Sequence, residues 1–255
     1  IIPSICCAAV LFAINLAGFT PVLADVSKED FCMDTENIAS EMSSKTKAII
    51  AIHSYGRYCK IQEIQNFSEE NGLFLIEDAC LGLGGMINEK PFGSFGGISI
   101  FSFGYDKIID AGGGGALVTG NVDLFQKAQA FLRNNRYFSY QGDSEHLNFI
   151  KRKLNTLPEA IKIRNTNAKI YHEHLSQKKF SKPPFKENII YWRYSALYEG
   201  NRNLLVESAK KEGVIITAHY KGLHQLRTGE VLPNSELISN QIINLFVKPE
   251  TPSEQ

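Results

Sequence analysis

From residue 5 to residue 133, short apolar runs alternate with amphipathic segments, and this alternation constrains the chain more than any other feature. Apolar, β-branched runs at 21–26, 47–53, 73–77, 98–103 and 116–119 read as strands. Between them, residues 5–17, 34–42, 60–71 and 122–133 carry helical periodicity, with Asp34 as an N-cap and Gly18 and Gly72 as stops. Most of the intervals are long enough for crossover helices, so a mainly parallel sheet covered on both faces is expected. Beyond about residue 140 the pattern changes. A helix over 157–175, a Pro183-Pro184 loop, a strand over 189–198, a helix over 203–211 ended by Gly213 and a strand over 214–218 form an αβαβ series. The expected organisation is therefore an α/β large domain over 1–150 and a smaller α+β domain over 151–255.

Composition narrows the partners. Lys plus Arg and Asp plus Glu both total 27, so no charge excess recruits nucleic acid or an anionic membrane. The 24 residues before Asp25 are uncharged, which resembles a leader or an anchor. They lack a basic start, and Pro3, Asn15, Gly18 and Pro21 interrupt the apolar run, so buried strand and helix are expected there instead. The absence of an initial Met is expected of a chain that starts inside a longer fold. The five cysteines, Cys6, Cys7, Cys32, Cys59 and Cys80, are odd in number and have no CxxC pairing. Free thiols in a reducing, cytoplasmic compartment are expected, and no spacing suits a metal.

Two segments carry chemistry. Leu75-Ile76-Glu77-Asp78-Ala79-Cys80 is an apolar run ending in carboxylates, and Phe101-Ser102-Phe103-Gly104-Tyr105-Asp106-Lys107 is a second run ending in a hydroxyl and a lysine. Ligands bind at the carboxyl ends of α/β strands, where these groups would sit. An acid and a lysine so placed suit pyridoxal phosphate (PLP), the acid facing the pyridine nitrogen and the amine facing the aldehyde. By spacing alone, an ordinary strand end with a solvated lysine fits equally. The Gly112–Gly115 run has no helix directly after it and no dinucleotide-binding pattern, so a tight turn near the pocket is expected.

Further motifs occur in order: Thr46-Lys47-Ala48-Ile49-Ile50, His53-Ser54-Tyr55-Gly56, Gly93-Ser94-Phe95-Gly96, Gly114-Gly115-Ala116, Asn244-Leu245-Phe246-Val247 and Pro249-Glu250-Thr251. With the two chemical segments they make the chain resemble the DegT/StrS family of fold-type-I PLP-dependent sugar-nucleotide aminotransferases. The resemblance implies a seven-stranded-type PLP-transferase large domain with a smaller C-terminal domain. It also implies transfer of an amino group from glutamate to a nucleotide-linked keto sugar, in a homodimer. Lys107 falls at the Schiff-base position, Asp78 at the pyridine partner and Ser102 at a phosphate contact. Cys7 lies where an aromatic commonly stacks on the ring, and Asn148 matches an asparagine that reaches the neighbouring subunit's phosphate. His53, Tyr55, His219 and Tyr220 fall near substrate; a core histidine and a packing aromatic are equal readings for the first two. His224 lies in the same C-terminal segment.

The chain also departs from the family. The resemblance implies an N-terminal helical segment with a Gly-Thr or Gly-Ser phosphate anchor, which is expected to precede the point where these residues start or to have been lost; Leu81 replaces a polar residue, and Asp106 places a negative charge beside the lysine. A catalytically impaired or truncated member acting as a structural or regulatory partner, and a PLP-dependent sugar dehydratase, are the alternative readings.

Overall fold

The computed structural model describes residues 1–135, 144–187, 189–226 and 231–249. The first half runs β1 (Ile2–Pro3), α1 (Ala8–Leu16), β2 (Leu23–Ala24), α2 (Thr35–Glu41), β3 (Ala48–Ile52), α3 (Ile61–Glu70) and β4 (Phe74–Asp78). A small hairpin of β5 (Met86–Ile87) and β6 (Lys90–Pro91) follows, then β7 (Ile98–Ser102), β8 (Gly115–Val118) and α4 (Val122–Asn134). β3, β4 and β7 are parallel, with Ile52 opposite Asp78 and Asp78 opposite Ile100. β1 and β2 are also parallel. The Ile1 amino group donates to the Ala48 carbonyl (2.8 Å) and the Ile50 N–H to the Ile1 carbonyl (3.0 Å), the staggered pattern of a parallel pair. The strands thus lie side by side in the order β2-β1-β3-β4-β7-β8.

β8 runs antiparallel to β7. The chain reverses through Gly112 and Gly114, both at positive φ, and residues 103–114 between the strands hold no helix. Side chains on β3 alternate as a sheet covered on both faces requires. Ile49 and Ala51 pack with Ile61 and Ile64 of α3, whereas Ile50 and Ile52 pack with Leu11 and Val10 of α1. Ile61 and Ile64 are completely buried, and each contributes about 2 kcal/mol of hydrophobic stabilisation. Asp34 caps α2 as expected: its side chain accepts the Asn37 N–H, and the Asn37 side chain accepts the Asp34 N–H.

The second half contains α5 (Ser144–Asn155), α6 (Leu157–His174), β9 (Phe180–Ser181), β10 (Arg193–Tyr198), α7 (Arg202–Lys211), β11 (Ile216–Thr217), α8 (Pro233–Gln241) and β12 (Ile242–Phe246). Its sheet, β11-β12-β10-β9, is antiparallel at every pairing. The strand expected over 189–198 starts only at Arg193; the four residues before it are buried without joining the ladder. α5, α8 and β12 were not expected as elements, and the expected division between residues 150 and 151 falls inside α5. Ile190, Trp192, Leu197, Ile238 and Ile242 join Ile5, Ile49, Ala51 and Leu75 in one apolar cluster, so both sheets share a core. Glu250 and Thr251 of the closing motif lie outside the described residues. Among the described residues, no helix is long and apolar enough to cross a membrane.

Candidate active site

The strand order creates a switch point. From β1 the chain crosses outward to β2, and from β3 it crosses the other way to β4, so a crevice opens at the carboxyl ends of β1, β3 and β4. Cys7 stands there, exposed, as the N-cap residue of α1. Cys6 beside it is buried, its thiol directed at the Pro3 carbonyl (3.5 Å).

Asp78 ends β4 and is 6% exposed. One carboxylate oxygen accepts the Cys80 N–H at 2.9 Å, and no cation pairs with it among the described residues. Lys107 is half-buried in the loop after β7; its N–H donates to the Gly104 carbonyl (3.3 Å), and its amine has no ion pair among the described residues. Both charges act on the Cys80 thiol. Burial pushes the Cys80 thiol up, Asp78 adds to that shift, and Lys107 opposes it. Ser102 ends β7, and its hydroxyl accepts the Gly104 N–H (3.3 Å), leaving its own proton to donate.

The C-terminal half meets these strand ends through Tyr220 and Trp192. Burial raises the Tyr220 phenol well above its ordinary range, and nearby Cys7 and Asp78 reinforce the shift. The Tyr220 N–H donates to the Tyr55 hydroxyl (3.0 Å), while its ring stacks on Trp192 with centroids 6.2 Å apart. His219, more open, is held below the ordinary imidazole range by burial and by Arg193. The structure therefore gathers Cys7, Asp78, Ser102, Lys107, Tyr220 and, at the rim, His219.

Three other candidates are placed differently. His53 has no exposed surface: its Nε2 meets Glu77 Oε1 at 2.9 Å, and its ring stacks on Phe92 with centroids 3.9 Å apart. The expectation of a substrate contact gives way to the core reading, because both ring nitrogens face protein, the second lying 3.7 Å from the Cys59 sulfur. Tyr55 is likewise 1% exposed and packs edge-on against Phe31, so it reaches the crevice only through its bond to Tyr220. Asn148 is exposed on α5, with no hydrogen bond joining it to the cluster among the described residues. His224 lies elsewhere, paired through Nε2 with Glu236 at 2.8 Å. Leu81 is buried in the main apolar cluster, which suits a leucine where the family carries a polar side chain.

Two residues escaped the sequence reading. Glu77 is fully buried and accepts the N–H groups of Gly93 (2.7 Å), Phe95 (2.9 Å) and Gly96 (3.4 Å) and the Ser99 hydroxyl (3.3 Å), besides facing His53. Burial alone would raise its carboxyl, but these donors, His53 and Gly93 foremost, hold it below the ordinary range. Arg193 pairs with Asp106. A charge at the centre of the apolar run 189–198 was the available signal for it.

The donor set fits PLP. A buried carboxylate and a half-buried lysine, neither in an ion pair among the described residues, and a strand-end hydroxyl with a proton to donate are the partners that a pyridine nitrogen, an aldehyde and a phosphate require.

Comparison with known proteins agrees. The family model for the DegT/DnrJ/EryC1/StrS aminotransferases matches residues 1–255. Over 187 residues the chain is 30% identical to GDP-perosamine synthase of Vibrio cholerae, covering 69% of this chain and 51% of that protein, so it spans about half the length of that relative. It superposes on the structure of DesI in the presence of its TDP-sugar product with a TM-score of 0.87 and 26% identity, covering 99% of this chain and 70% of that one. The PLP form of Spr1654 from Streptococcus pneumoniae shares the fold at 19% identity, with a TM-score of 0.86 over 99% of this chain and 76% of its own. The chain belongs to the DegT/DnrJ/EryC1/StrS aminotransferase family.

Proposed function

We propose that this chain is a PLP-dependent aminotransferase that moves an amino group from glutamate to a keto sugar carried on a nucleotide. The observation that carries the reading is that Asp78 ends β4 beside β7, whose end holds Ser102 and leads into the Lys107 loop, with neither charge in an ion pair among the described residues. PLP supplies an electron sink for the carbanion formed at the donor carbon. Asp78 holds a proton on the ring nitrogen, which keeps that sink effective, and its burial strengthens the interaction. With PLP bound, Lys107 would hold its aldehyde carbon and, once displaced by the amino donor, would carry a proton at Nζ between the donor carbon and the cofactor carbon. Ser102 donates its free hydroxyl proton to the phosphate, and Cys7 borders the ring from α1. Tyr220, with His219 at the rim, faces the substrate and limits water.

The substrate class follows the relatives, one named for a GDP-linked sugar and another solved with a TDP-sugar. Exposed Asn148 is assigned to the neighbouring subunit's phosphate in a homodimer. The free thiols suit the cytoplasm, and we set the change from cofactor-binding to C-terminal domain at α5, which holds residues 150 and 151. The test is mass-spectrometric detection of the amino sugar formed from glutamate and nucleotide-linked keto sugars with added PLP. Product should form with the wild-type chain and disappear in Lys107→Ala; product persisting in that variant would contradict the reading.

A further inference from the structure

Asp106 precedes Lys107 directly, and its backbone is in the left-handed region at φ 57°. Its carboxylate is turned to the second sheet, where the Oδ2 atom accepts Arg193 Nε at 3.2 Å and, more closely, Nη2. The Asp106 carbonyl accepts the Trp192 indole N–H at 2.5 Å. Both charged side chains are largely sequestered, at 14% and 6% exposure. The guanidinium is fixed on both sides, 4.0 Å from the Phe246 ring centroid and 4.5 Å from that of Trp192, and it also donates to the Thr217 hydroxyl. A bare carboxylate here would raise the proton affinity of the adjoining amine; a sequestered guanidinium cancels that field at short range.

We infer that Arg193 is a positioning residue for Lys107: by holding the Asp106 carboxylate it fixes the lysine loop to the second sheet and keeps the charge of Asp106 off the lysine amine. This rests on the reading of Lys107 as the residue that takes PLP.

The other titratable groups near this loop are accounted for. Within the loop, Asp110 accepts the N–H groups of Asp106 (2.8 Å) and Gly112 (2.9 Å) on the exposed side. Asp78 and Cys80 approach from β4, and Cys7 from α1. Tyr220 and His219 approach from beyond β11. His219 feels both Asp106 and Arg193, and its lowered range keeps it out of the alkaline window.

The test is the pH profile of PLP attachment at Lys107, trapped with borohydride and read by peptide mass spectrometry from about pH 6.5 to about pH 9.5. Arg193→Gln should move the profile upward by about one pH unit, which is about tenfold less label below the midpoint. Arg193→Lys should keep most of the wild-type profile, and the double variant Asp106→Asn/Arg193→Gln should return it. A merely structural arginine would lower the label at every pH alike, without this reversal. Should Arg193→Gln not fold, Asp106→Asn alone decides: an upward shift in it overturns the inference, and a profile at or below wild type supports it. A wild-type chain unlabelled at Lys107 overturns the aminotransferase reading together with this inference. A labelled wild type with an unmoved Arg193→Gln profile overturns this inference alone.

Discussion

Two neighbouring residues on β4 send their carboxylates to opposite faces of the sheet. On one face, Glu77 collects donors from His53 just after β3, from the loop over 93–96 and from Ser99 of β7, and has no exposed surface. On the other, Asp78 accepts the N–H of Cys80 and, among the described residues, pairs with no cation. Glu77 is spent on structure: it ties the ends of three strands together so that Asp78, Ser102 and the lysine loop keep their spacing. Asp78 retains acceptor capacity for something that is not protein. The number of donors already committed to a buried carboxylate thus separates a group that builds a site from a group that works in it.

Substitution should expose the difference. Glu77→Leu leaves three backbone N–H groups and His53 without an acceptor, and should cost about 3–5 kcal/mol in urea unfolding. A cost below about 1 kcal/mol would erase the distinction between the two faces. Leu81→Gln tests where the boundary runs. Because Leu81 lies in the main core, the change should cost about 2 kcal/mol and bring no gain in turnover, although it restores a polar residue usual in the family. Asp78→Asn should cost less than about 1 kcal/mol of stability but on the order of a hundredfold in transamination rate. Equal losses of stability at 77 and 78 would contradict the comparison.

The pH dependence follows with the same sign logic. The Glu77 carboxyl is lowered in the folded state from an ordinary value of 4.5. Its stabilisation is complete above that value and is lost as pH falls through the lower folded value. Wild-type stability should therefore drop more steeply on acidification below about pH 4.5 than that of Glu77→Gln, as measured by denaturant titrations at each pH. Parallel curves would remove Glu77 as the source.

The legible part of the fold was its local part. Strands β3, β4 and β7 and helices α2, α3 and α4 carry their periodicity within a dozen residues, and the Asp34 cap needs only Asn37. The placing of Asp78 at one strand end and of Lys107 after the next was legible because neighbouring strands of a parallel sheet end side by side. Relations made at long range were not. Asp106 and Arg193 are 87 residues apart, and nothing near Asp106 announces a partner. Glu77 looks like any strand-end carboxylate until the loop over 93–96 folds back on it. His53 was ambiguous for the same reason, since the Phe92 ring and Glu77 that enclose it are distant in sequence.

The most direct measurement is a peptide map of the wild-type chain after incubation with PLP and reduction with borohydride. The expected result is a pyridoxyl group on the peptide containing Lys107, with exposed lysines such as Lys28 and Lys127 labelled far less. Label spread over those exposed lysines, with Lys107 unmodified, would contradict the account.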